Sequence, residues 1–114
     1  VSGKPVLTLL DVAEATTSGV GPSLPISGLE NFAGELRAVE DVAGTSLDVV
    51  IEDSFDGGAT WNDWIVFTTL ATTGNEIKAM TQLNRTCGPL IRAKYTIVGG
   101  TWSFTLRLAA DVKQ

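Results

Sequence analysis

Histidine is absent from this sequence. That removes the side chain most used as a general base, as a triad partner and as a transition-metal ligand. Cysteine occurs once, at Cys87, so neither an internal disulfide nor a multi-cysteine metal site can form. A lone cysteine without histidine is also a poor nucleophile, and its neighbours Thr86, Gly88 and Pro89 read as a loop. Basic residues are few, eight against thirteen acidic ones, for a net charge of −5. They are scattered along the chain, which leaves no basic face for nucleic acid and no cluster for an anionic membrane. No apolar run approaches the roughly 20 residues of a membrane span. The sequence opens on Val1 with no leader-like stretch, so a trimmed N-terminus without a signal peptide is the expectation. Phosphate loops, dinucleotide fingerprints and zinc spacings are missing too. The expectation is a protein with no cofactor and no catalysis.

What remains is the composition of one packed domain: 114 residues, 44% hydrophobic and 18% charged. Alternation dominates. Trp102, Phe104, Leu106 and Leu108 take one face of a run whose other face is Ser103, Thr105 and Arg107. Ile91, Ala93, Tyr95 and Ile97 alternate with Arg92, Lys94 and Thr96, and Gly99-Gly100 joins the two runs as a tight hairpin. Leu47, Val49 and Ile51 begin a third run, with residues 64–70 as its hairpin partner. Shorter strands are expected at residues 6–12, 23–26, 32–39 and 76–81. Residues 32–42 would also suit a helix face, but Gly34 interrupts a helix and Phe32, Leu36 and Ala38 keep the strand period. Seven to eight short antiparallel strands predict an all-β fold, a β-sandwich of jelly-roll-like type. Residues 1–22 read as an N-terminal strand or arm, and residues 23–114 as the sandwich.

One motif carries local chemistry. Residues 54–61, Ser-Phe-Asp-Gly-Gly-Ala-Thr-Trp, match the Asp-box pattern S-x-D-x-G-x-[ST]-W. Ser54, Asp56, Gly58 and Trp61 are its working positions. The aspartate caps backbone N–H groups, glycine takes positive φ, and the tryptophan folds back over the hairpin. In sialidase propellers such a box recurs in every blade, away from the active site. Here it occurs once, in a chain too short for a propeller, so a structural turn is expected. A calcium site from Asp53, Asp56 and Asp63 lacks the spacing of alternating oxygen ligands. The carboxylate pairs Asp48/Glu52 and Glu35/Glu40 read as solvated strand faces rather than as a glycosidase dyad. Asn84-Arg85-Thr86 is a glycosylation sequon by pattern only. Among the tryptophans, Trp64 is the freest to face outward, because residues 61–64 break simple alternation.

Residues 47–110 resemble small β-sandwich virion structural proteins of tailed bacteriophages, of the capsid decoration type. The resemblance rests on residues 47–54 running into the Asp-box, on the strand Leu90-Ile91-Arg92-Ala93-Lys94-Tyr95, and on Gly99-Gly100-Thr101-Trp102-Ser103-Phe104-Thr105-Leu106. It implies a non-enzymatic role, with the major capsid protein as partner and self-association as a homotrimer. The location it implies is the capsid exterior of the virion, after synthesis in the host cytoplasm. Val6, Thr8 and Leu10 of the N-terminal stretch, with Trp64, are the expected partner contacts. Two other roles stay open: a carbohydrate-binding sandwich with Trp64 in its platform, and a tail or head-completion protein of the same fold.

Overall fold

In the last strand of the chain every second side chain is buried: Trp102, Phe104, Leu106, Leu108 and Ala110. The computed structural model describes residues 6–26, 28–80 and 88–112, with 75–80 as backbone only. Nine strands run through them: β1 (Val6–Ala15), β2 (Gly19–Val20), β3 (Leu24–Pro25), β4 (Leu29–Val42), β5 (Ser46–Ser54), β6 (Asn62–Val66), β7 (Gly74–Met80), β8 (Leu90–Val98) and β9 (Thr101–Val112). Cys87 and the sequon at residues 84–86 lie outside the described residues.

The strands form two antiparallel sheets. Sheet A has the order β1-β9-β4-β7, and sheet B the order β2-β8-β5-β6 with β3 also paired to β8. β2 and β3 lie along the same edge of β8, at Tyr95/Lys94 and at Ile91/Leu90. They are two pieces of one strand, joined through Gly21, whose N–H donates to the Ala93 carbonyl at 2.7 Å, and offset by one extra residue between Val20 and Leu24. Counted so, eight strands in two four-stranded sheets make a jelly roll. The stretch that competed between helix and strand is β4, fourteen residues long. Gly34 points into the core there, where a Cβ would stand 3.0 Å from the Phe67 ring. At the β8–β9 hairpin, Gly99 and Gly100 hold φ of 71° and 77°, the double positive φ of a tight two-residue turn.

The core is the space between the sheets. Leu36, Trp102, Leu106 and Leu108 of sheet A meet Leu47, Val49, Ile51, Ile65 and Ile91 of sheet B, all with at most 1% exposure. Two edge-to-face aromatic pairs bridge the layers, Phe32 with Trp64 and Tyr95 with Phe104, both at 4.9 Å between centroids.

Bulges govern what reaches this core. On β6 the pairing passes from Ile51–Ile65 to Glu52–Asp63, so Trp64 is an extra residue and is buried beside Ile65. On β1 it passes from Thr8–Arg107 to Leu10–Leu106, and Leu9 and Leu10 are buried together. Residues 6–15, within the stretch read as strand or arm, thus form the edge strand of sheet A.

Candidate functional site: the Asp-box corner

Strand β5 ends on three consecutive buried polar residues, Glu52, Asp53 and Ser54. Burying polar groups is costly unless each finds a partner, and each does. The Ser54 hydroxyl donates to Asp56 Oδ1 at 2.8 Å and accepts the backbone N–H groups of Asp56 and Gly58 at 3.4 and 2.9 Å. Asp53 Oδ2 accepts the Gly88 N–H at 2.8 Å, which ties the start of the β8 segment to the end of β5. Glu52 Oε1 accepts from Arg92 Nε at 2.9 Å across the β5–β8 pairing. Expected on a solvated face, Glu52 is instead 5% exposed. Its register partner Arg92 sits over it, and Trp61 covers that arginine with the guanidinium 4.3 Å from the ring centroid.

Around the turn the pattern residues act as a set. The carboxylate of Asp56 accepts the Thr60 N–H at 2.9 Å and the Thr60 hydroxyl at 2.6 Å. Trp61 Nε1 donates to the Gly58 carbonyl at 3.1 Å. Gly57 and Gly58 hold φ of 72° and 98°. The Thr60 hydroxyl first, then the Thr60 N–H and the Ser54 hydroxyl, lower the Asp56 pKa to about 2. A carboxyl held there is an anion at every physiological pH, suited to capping and useless as a general acid. Among the described residues, no three His, Cys, Asp or Glu side chains gather to hold a metal ion.

Asp56→Ala should lower the melting temperature by on the order of 5 °C, the scale of a lost side-chain cap. Because the folded pKa lies below the ordinary carboxyl value, Asp56 stabilises fully above about pH 4 and loses that contribution as the pH falls toward 2. Asp56→Asn should therefore fall less steeply than the parent over that interval in melts recorded across pH. Parallel profiles would remove the carboxylate from the turn's energetics. Calcium is expected to leave both curves unchanged.

The four residues expected at a partner contact are not equivalent. Val6 is 56% exposed and Thr8 is also exposed, on the outer face of sheet A. Leu10 and Trp64, each 5% exposed, belong to the protein's own core, and this corrects their assignment as contacts. The reason is the bulge beside each. The broken alternation that made Trp64 look free is the extra residue of β6, and its ring packs on Phe32. With Trp64 inside, the sugar platform of the alternative carbohydrate-binding reading loses the aromatic named for it. Sequence reasoning passed over Phe55, which is 58% exposed at the tip of the turn. It occupies the first free position of the pattern, between two residues fixed by hydrogen bonds.

No protein-family model matches this sequence, and no curated protein matches it. Solved structures do. The chain is similar to the PBSX exported protein XepA, with a TM-score of 0.69 and 15% identity, over 96% of this chain and 38% of XepA. It is similar to the SPBc2 prophage-derived protein YomS, with a TM-score of 0.60 and 11% identity, over 96% of this chain and 94% of YomS. A chain of the T13 particle of infectious bursal disease virus gives a TM-score of 0.59 and 16% identity, over 94% of this chain and 30% of that one. The chain thus spans well under half of XepA and of the viral chain, and nearly all of YomS. At these identities what is shared is the β-sandwich fold.

Proposed function

We propose that this chain is a non-enzymatic structural protein of a bacteriophage virion, a decoration protein that binds the outer capsid and stabilises it. The supporting observation is the jelly roll itself. The same fold makes up nearly the full length of a prophage-derived protein and a segment of a virus particle chain. The chemistry of the corner fits a scaffold: Glu52, Asp53 and Asp56 are all engaged in hydrogen bonds that hold strands and turn together. In this reading the partners are the major capsid protein and further copies of the chain as a homotrimer. The location is the capsid exterior.

The test is made on phage particles from the genome that encodes the chain. Gold-labelled antibody against the purified protein should mark heads in electron micrographs. Particles made without the gene should release their DNA at lower temperature than the parent. Label confined to tails would transfer the assignment to a tail protein of the same fold. Absence of the protein from gradient-purified particles would overturn a virion role altogether.

A further inference from the structure

An aspartate followed by glycine is the junction at which a peptide backbone rearranges most readily, because glycine has no side chain to shield its nitrogen. Asp56-Gly57 is the one such pair in the sequence. The other aspartates precede valine, serine or tryptophan, and Asn31, Asn62, Asn75 and Asn84 precede Phe32, Asp63, Glu76 and Arg85. Asp53-Ser54 is the next least hindered junction. Both of its residues are buried in β5, with Asp53 held in register by Ile91 and Asn62.

The turn itself demands glycine at position 57. Gly57 holds φ of 72°, in the left-handed region that other residues enter at a cost, and a Cβ there would meet nothing within 4 Å. Asp56 and Gly57 are both exposed, so water has access to the junction from outside. Rearrangement needs the Asp56 carboxyl carbon swung back onto the Gly57 nitrogen, and it needs the carboxyl neutral so that its hydroxyl can leave. The closed turn withholds both. Asp56 Oδ1 accepts from the Ser54 hydroxyl at 2.8 Å and the Thr60 N–H at 2.9 Å, and Oδ2 accepts from the Thr60 hydroxyl at 2.6 Å. These bonds aim the carboxylate forward at Thr60 and must break before it can turn back. The same bonds, that of the Thr60 hydroxyl first, lower the pKa from 3.8 to about 2, which leaves roughly sixtyfold less neutral acid at a given pH.

We infer that Asp56 is the site of spontaneous isoaspartate formation in this chain, and that the hydrogen bonds of the Asp-box hold the reaction off while the turn is closed. In the step, the Gly57 nitrogen bonds to Asp56 Cγ. Its proton leaves with the carboxyl hydroxyl as water, and a succinimide ring closes. Water then opens the ring at one of its two carbonyls. Opening at Cγ restores the aspartate, whereas opening at the main-chain carbonyl leaves the backbone running through Cβ and Cγ. No oxidant, reductant or cofactor is consumed. The isoaspartate carries its carboxylate on Cα, away from the place where Thr60 donates, and its backbone is longer by one carbon. The turn cannot then close as before.

Ageing the full chain at mildly acid pH and body temperature tests this, with isoaspartate counted by enzymatic methylation and placed by peptide mass mapping. The folded parent should form it at Asp56 roughly tenfold or more slowly than the same chain unfolded in urea, since neutral acid is withheld in the turn. Thr60→Val keeps the side-chain shape and the N–H but drops the hydroxyl. It should age severalfold faster than the parent while its circular dichroism is unchanged, with Ser54→Ala as a second variant should Thr60→Val lose its fold. Ile97→Val loosens the core at the other end of β5, opposite Leu47, and should age as the parent does. Equal rates for the folded and the unfolded parent would overturn the guarding role. So would folded variants without the hydroxyl that age no faster than the parent, or an Ile97→Val chain that ages as fast as they do. Isoaspartate gathering first at any other residue would overturn the site.

Discussion

Deletion of residues 1–13 is expected to leave a chain that does not fold. Those residues include most of β1, and β1 is paired along its length with β9, the strand at the heart of sheet A. Leu9 and Leu10 are 2% and 5% exposed, and Leu7 and Val12 pack against the same core. Full burial of one leucine is worth about 1.5–3 kcal/mol, so the two buried leucines alone carry roughly 3–6 kcal/mol. A domain of this size has about 5–15 kcal/mol in total. The deletion would also bare Leu106 and Leu108 of β9, which lie opposite Leu10 and Leu7. Circular dichroism and amide NMR spectra of the truncated chain decide the matter. A folded spectrum with a cooperative melt would mean that the stretch acts as a detachable arm.

Arg92→Met should cost about 3 kcal/mol and lower the melting temperature by roughly 10 °C. The arginine is paired to a glutamate whose side chain is 7% exposed, and its own exposure is 26%. Removing the cation leaves the Glu52 carboxylate buried without it, which is dearer than losing the attraction itself. The stacking on Trp61 goes as well, worth about 0.5–1 kcal/mol. The double change Glu52→Leu with Arg92→Met removes both charges and should return to within about 1 kcal/mol of the parent. Urea unfolding of the parent, single and double variants measures this directly. A single variant within about 1 kcal/mol of the parent would show that water reaches Glu52 once the arginine is gone.

The strands that alternate without interruption were legible. Every inward residue read in the 102–108 run is buried, as are Leu47, Val49, Ile51, Ile91, Ala93 and Ile97. The motif at residues 54–61 was legible for a related reason, since all its bonds close within a few positions of the chain. Trp64 and Leu10 were misplaced because a bulge adds one residue and a strict period of two cannot describe it. The pattern predicts residues 64–70 as the partner of the run at 47–52, whereas β6 runs from Asn62 to Val66 and Leu70 only bridges back to Leu47. β2, at Gly19–Val20, falls where no strand is expected from the pattern. Two residues have no pattern of their own, and they are strand only because β8 offers them an edge.

The buried pair, and a shallow groove on the outer face of sheet A between Val6, Ala33 and Ala109, were invisible for a deeper reason. Val6, Ala33 and Ala109 come from three strands spread over the whole chain and meet only through the order β1-β9-β4. Glu52 and Arg92 are forty positions apart, and each alone has the look of an ordinary surface charge. Such sites are properties of topology, and a one-dimensional reading has no term for them.

That same order has a consequence for synthesis. β9 stands between β1 and β4, so neither has its neighbour on that side until residues 101–112 have left the ribosome. Sheet A cannot close piece by piece as the chain emerges. β1 is made before β9 and must wait for it, with Leu9 and Leu10 in water meanwhile. Closure of so distant a pairing belongs to the slow, millisecond-to-second class of folding. Each newborn chain passes through that open interval with a bare apolar strand, and crowding among nascent copies acts on it there.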